Sequence, residues 1–180
     1  MLDFKFIADA ITFVRGLLGM WMVFLGLTLG KESMPSIIVL MLLCWTGDYF
    51  DGRVARMSSS PRSSWIGDHD IQVDILVSLC VGAYLVLADY VPLIISIFYL
   101  TIWVLIFMRS GLNHGLLMLV QAPMYVLLIY FALHEEPDYG KWLLYWLVGL
   151  VLLNWKHFIS DVVPGFLKDF LDSLQKSRES

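Results

Sequence analysis

With 180 residues, 59% hydrophobic side chains and a mean hydropathy of +0.75, the chain is too apolar and too short to bury its long apolar runs in a water-soluble core. Charged residues make up 16%, against about 25% in a soluble domain, so the composition is that of an integral membrane protein. The net charge of −4 excludes the basic footprint of a nucleic-acid-binding protein.

Taken in chain order, Met1 to Ile7 sets Leu2, Phe4, Phe6 and Ile7 against Asp3 and Lys5, the pattern of a short interfacial segment. It lacks the basic-then-apolar-then-small order of a cleavable signal. The first predicted span covers about 8–30, with Thr12 and Arg15 one turn apart near its start. Lys31-Glu32-Ser33 makes a polar turn, and the second span covers about 35–57. It is apolar to Trp45 and then turns into Gly47-Asp48-Tyr49-Phe50-Asp51-Gly52-Arg53-Val54-Ala55-Arg56. A polar linker containing Pro61 leads into the third span, about 67–88, which opens with Asp68, Asp70 and Asp74.

The fourth span is predicted over 93–108 and the fifth over 116–133, with a kink at Pro123. His134 to Lys141 reads as a polar turn before the sixth span, 142–155. In 164–180, Phe166, Leu167, Phe170, Leu171 and Leu174 recur at helical spacing against Lys168, Asp169 and Asp172, the mark of an amphipathic tail on the membrane surface. Cys44 and Cys80 read as small buried hydrophobes. The expected fold is a single all-α domain over residues 1–180, a bundle of six transmembrane helices with amphipathic interfacial segments at both termini.

Six spans put both termini on one side. That side then holds ten Lys and Arg (Lys5, Arg15, Arg53, Arg56, Arg62, Arg109, Lys156, Lys168, Lys176, Arg178), and the other holds Lys31 and Lys141. The positive-inside rule makes the termini cytoplasmic and puts the aspartates at the cytoplasmic membrane surface.

Asp48, Asp51, Asp68, Asp70 and Asp74 fall within one short part of an otherwise apolar chain. Acids at membrane level are costly, so the cluster marks a functional site. Asp48, Asp51, Gly52 and Ala55 share a helical face, as do Asp70 and Asp74. A short linker makes the two helix ends antiparallel neighbours, so four carboxylates can converge. Packed together they would raise one another's pKa, and a divalent cation removes that cost. Carboxylate-only ligation suits a hard ion, Mg²⁺ or Mn²⁺. Gly52 and Ala55 leave room for a ligand, and Arg53 and Arg56 bring positive charge suited to phosphate. The bland alternative is a set of surface acids paired with Arg53, Arg56 and Arg62.

Asp48-x-x-Asp51-Gly52-x-x-Ala55-Arg56, followed by Asp70-x-x-x-Asp74, resembles the signature of the CDP-alcohol phosphatidyltransferases, as does its position between spans two and three. In that family a glycine usually stands four residues before the third aspartate. Here that position is Ile66, with Gly67 one residue later, and the gap from Arg56 to Asp70 is one residue longer.

The resemblance implies a phospholipid-biosynthesis enzyme that moves a substituted phosphate from a CDP-alcohol, commonly CDP-diacylglycerol, to a second alcohol and releases CMP. It implies that Asp48, Asp51 and Asp70, with Asp74, hold the metal, and that Asp48, Gly52, Ala55 and Arg56 line the CDP site. Asp74 would be the base for the acceptor hydroxyl, and the protein a homodimer. Arg62, Arg109 and Lys156 are candidates for a phosphorylated acceptor or ordinary positive-inside charges. Thr12 and Arg15 match a frequent family start, and Arg15 either pairs with the aspartates or snorkels. Two rival readings stand beside this one. The first is a cation transporter with a carboxylate-lined site, and the second is a catalytically silent relative acting as a membrane scaffold.

Overall fold

A computed structural model describes the backbone of residues 4–57, 70–111 and 114–153, and their side chains except at 4, 5, 51–57, 70 and 114. The described chain is all helical, in the order α1 Phe4–Leu29, a 3-10 turn Gly30–Ser33, α2 Met34–Met57, α3 Asp70–Leu87, α4 Leu93–Ser110, α5 His114–Glu135 and α6 Pro137–Leu153. The expected tail at 164–180 and the linker residues 58–69 lie outside the described residues.

Among the described residues, three stretches rather than six separate ones have the length and apolar character of a membrane crossing: Phe6–Phe50, Leu93–Ser110 and Gly115–Glu135. The first, at 45 residues, takes in most of α1 and most of α2. A straight helix of that length would run about 68 Å at about 1.5 Å per residue, more than twice the roughly 30 Å hydrocarbon core of a bilayer. The turn at Gly30, where φ is +54°, folds it back into an antiparallel pair. The Ser33 hydroxyl donates to the Gly30 carbonyl at 2.7 Å and closes the turn. The third predicted span corresponds to a shorter apolar helix, Ile71–Leu87, and α6 has 17 residues.

The N-terminal segment assigned to the interface is helical from Phe4 and continuous with the first span. Helix boundaries correct the sequence reading in one place. The polar turn expected over His134 to Lys141 is almost wholly helix: α5 runs to Glu135 and α6 starts at Pro137. Proline is suited to a first helical position because its amide hydrogen would be unsatisfied there anyway. A Cβ on Gly140 would lie 2.6 Å from the Ala132 carbonyl, so the missing side chain is what lets the two helices meet at so tight a corner. At Pro123, where a kink was predicted, α5 continues as helix.

The core forms where α1, α2 and α3 meet, with α5 and α6 closing one flank. Met22, Met34, Ile37, Met41 and Cys44 interlock with Val77, Val81, Tyr84, Leu128 and Leu143, all buried. Cys44 and Cys80 are buried free thiols, as the sequence implies. Gly16, Gly19 and Gly26 face α3, and a Cβ on Gly19 would lie 3.4 Å from the Val77 Cα, which lets these two backbones run close and parallel. In contrast, α4 contains no buried residue. One tie to its neighbour is the Tyr99 hydroxyl, which donates to the Val120 carbonyl at 2.8 Å. These alignments put the start of α1, the end of α2 and the starts of α3 and α5 at one end of the bundle.

Candidate functional site

The site is built around Arg15. Its side chain is only 5% exposed, yet it sits in the apolar helix α1. A guanidinium at such a place must be neutralised by paired charge. One terminal nitrogen donates to Asp48 Oδ1 on α2 at 2.9 Å, and the same nitrogen donates to Asp74 Oδ1 on α3. Of the two fates the sequence left open to Arg15, pairing and snorkelling, the structure takes the pairing.

Gly47 makes this crossing possible. A Cβ at that position would stand 2.9 Å from Arg15 Cδ and 3.0 Å from Arg15 Cγ, in the middle of a side chain already fixed at its far end by two carboxylates. Gly47→Ala is therefore expected to cost about 1–3 kcal/mol, the usual penalty for overpacking, seen as a lower melting temperature in detergent. An unchanged melting temperature would mean that Arg15 can shift without loss. One turn earlier on α2, the Cys44 thiol lies 3.9 Å from the Arg15 carbonyl.

Arg15, Asp48 and Asp74 border a cavity of about 210 Å³ between α1, α2, α3 and α5. Trp45 and Tyr125 stand edge to face on its wall, 5.8 Å between ring centres. Gln121, one turn before Tyr125 on α5, completes the polar lining that the described residues supply. The Asp48 side chain is 48% exposed and that of Asp74 27%, so both carboxylates remain reachable while Arg15 does not.

Of the residues singled out by sequence, Asp48 and Asp74 come together. α2 continues as helix through Met57, which keeps Asp51, Gly52, Ala55 and Arg56 in helical register with Asp48; their side chains lie outside the described residues. Asp70 opens α3 one turn before Asp74, and its side chain also lies outside them, as do Arg62 and Lys156 altogether. Arg109 is exposed in the last turn of α4 and is not among the residues lining the cavity.

Sequence reasoning missed Gln121 and the packing role of Gly47. A signal for Gln121 was present: an amide inside the otherwise apolar run that opens α5 carries a cost that calls for a partner. Gly47 carried no signal of its own, because its role depends on a side chain from another helix.

Among the described residues, no group of three His, Cys, Asp or Glu side chains is placed to hold a metal. The two described members of the predicted set converge instead on the guanidinium. Their chemistry fits a hard divalent cation, since carboxylate oxygens from two helices already flank a single positive centre. Compared with family models, curated proteins and solved structures, the chain matches none.

Proposed function

We propose that the chain is a six-span membrane enzyme of phospholipid biosynthesis. It transfers a substituted phosphate from a CDP-alcohol, with CDP-diacylglycerol the preferred donor, to an acceptor alcohol and releases CMP. The observation that carries this reading is the meeting of Asp48 on α2 and Asp74 on α3 at one cavity in an otherwise apolar bundle. Isolated surface acids would not need to converge from two helices. The motif resemblance over residues 48–74 supplies the reaction class.

In this reading the acceptor's hydroxyl oxygen forms the new bond to phosphorus, the pyrophosphate bond to CMP breaks, and Asp74 takes the hydroxyl proton. Asp48, Gly52, Ala55 and Arg56 line the CDP subsite, where the small residues let the nucleotide approach the helix. Asp48, Asp51, Asp70 and Asp74 would hold Mg²⁺ or Mn²⁺, which would supply charge neutralisation at the pyrophosphate. Arg15 keeps Asp48 and Asp74 at a fixed separation. The lysine and arginine distribution puts the site and both termini on the cytoplasmic side, where a lipid donor and a water-soluble acceptor can meet.

Purified protein supplied with CDP-diacylglycerol, Mg²⁺ or Mn²⁺ and a panel of alcohols is expected to release CMP, and a chelator is expected to stop the release. CMP release that survives chelation would remove the metal from the scheme. No release with any alcohol would remove the transferase. Metal-dependent ion flux in liposomes without CMP release would establish the transporter instead. One observation favours the silent-relative reading: Arg15 already neutralises both described carboxylates. That reading requires CDP binding without turnover, which the same preparation measures.

A further inference from the structure

Gln121 and Tyr125 lie one turn apart on α5 and therefore share a face. That face lines the cavity that Asp48 and Asp74 border from α2 and α3. No hydrogen bond joins the side chain of Gln121 or Tyr125 to another described residue. Trp45 meets the Tyr125 ring edge-on, which holds the ring in place on the wall. An amide in an apolar helix is costly unless something at the site repays it.

The two groups have a chemistry in common. A glutamine amide carries donor and acceptor atoms, and a phenol is both donor and acceptor. Their natural complement is an uncharged hydroxyl, which is itself both. A cationic ammonium would call for acceptors alone, and a bare phosphate for donors alone. The cavity, at about 210 Å³, has room for a small alcohol.

The geometry points to Gln121 and Tyr125 as the acceptor-selecting wall of the cavity, binding a second hydroxyl of a polyol whose reacting hydroxyl lies at Asp74. This assignment rests on the transferase reading and specifies its second substrate by class: a glycerol- or inositol-type polyol, free or phosphorylated, rather than an amino alcohol. The residues select and orient the acceptor and take no proton from it.

The test is steady-state CMP release by the purified full chain with CDP-diacylglycerol and Mg²⁺. Glycerol, inositol and their monophosphates are offered against serine, ethanolamine and choline. The polyols are expected to support turnover and the amino alcohols are not. Losing one hydrogen bond of about 1.4 kcal/mol corresponds to a factor of about ten, so Gln121→Ala is expected to raise the acceptor KM about tenfold and Tyr125→Phe by a similar or smaller factor. The donor KM is expected to stay within about twofold, since the CDP subsite is assigned to Asp48, Gly52, Ala55 and Arg56 on α2 and to no residue of α5. Gln121→Asn, which keeps the amide but retracts it, is expected to fall between Gln121→Ala and the parent protein. An unchanged acceptor KM in Gln121→Ala, an equal rise in the donor KM, or turnover of amino alcohols alone would overturn the assignment and leave the transferase standing. A parent protein that releases no CMP with any of these alcohols overturns both.

Discussion

Asp74→Asn is expected to abolish turnover while leaving nucleotide binding intact. A positioned base contributes about 10²–10⁴-fold to such reactions, so CMP release is expected to fall at least about 100-fold. The substitution is nearly isosteric and keeps an oxygen that can accept from Arg15. The helices should therefore stay where they are, and titration with CDP should give a dissociation constant close to that of the parent. CMP release within about threefold of the parent would dismiss Asp74 as the base, since that lies well below the general-base range. Loss of CDP binding together with turnover would show that Asp74 serves the donor site instead.

The second large effect is expected at Arg15. Arg15→Met keeps the length and apolar stem of the side chain but leaves Asp48 and Asp74 facing each other without a counter-charge. Removing one partner of a fully buried ion pair costs about 3–5 kcal/mol. Here Asp48 is about half exposed, and water screens part of that cost, so about 2–3 kcal/mol is expected. For a chain of this size that corresponds to a drop of about 5–10 °C in melting temperature.

The cation hypothesis adds a sharper arm to this experiment. Mg²⁺ or Mn²⁺ held by the proposed carboxylate set would supply the counter-charge that Arg15→Met lacks, so added metal is expected to stabilise Arg15→Met by more than it stabilises the parent. Equal metal responses in the two proteins would argue against a cation position between Asp48 and Asp74. Arg15→Lys should retain part of the stability, because a single nitrogen of Arg15 serves both carboxylates and an ammonium can do the same at shorter reach.

Much of the architecture was legible because a bilayer imposes simple rules on sequence. Helix is forced wherever a long apolar run must satisfy its own backbone, which is why the helical stretches fall close to the predicted spans. The misreadings lie where polarity was taken for a turn. Glu135, Pro137 and Asp138 are polar or helix-breaking by composition, yet a helix end tolerates them: proline fits a first turn, and an acid there meets the positive end of the helix dipole.

At the site, the sequence by itself determined which chemistry is available. Helical spacing puts Asp48 with Asp51 and Asp70 with Asp74 on common faces, and the surrounding apolar composition makes those acids too costly to be incidental. The tertiary structure decided which groups meet. Arg15 reaches Asp48 and Asp74 because α1 packs against both α2 and α3, and because Gly47 leaves the space of one Cβ through which its stem passes. Gln121 and Tyr125 join the same cavity because α5 runs parallel to α3 at that end. Periodicity within one helix is written locally, in steps of three and four residues. Contact between helices depends on how closely their backbones approach, and that is set by small residues and side-chain packing far apart in the chain.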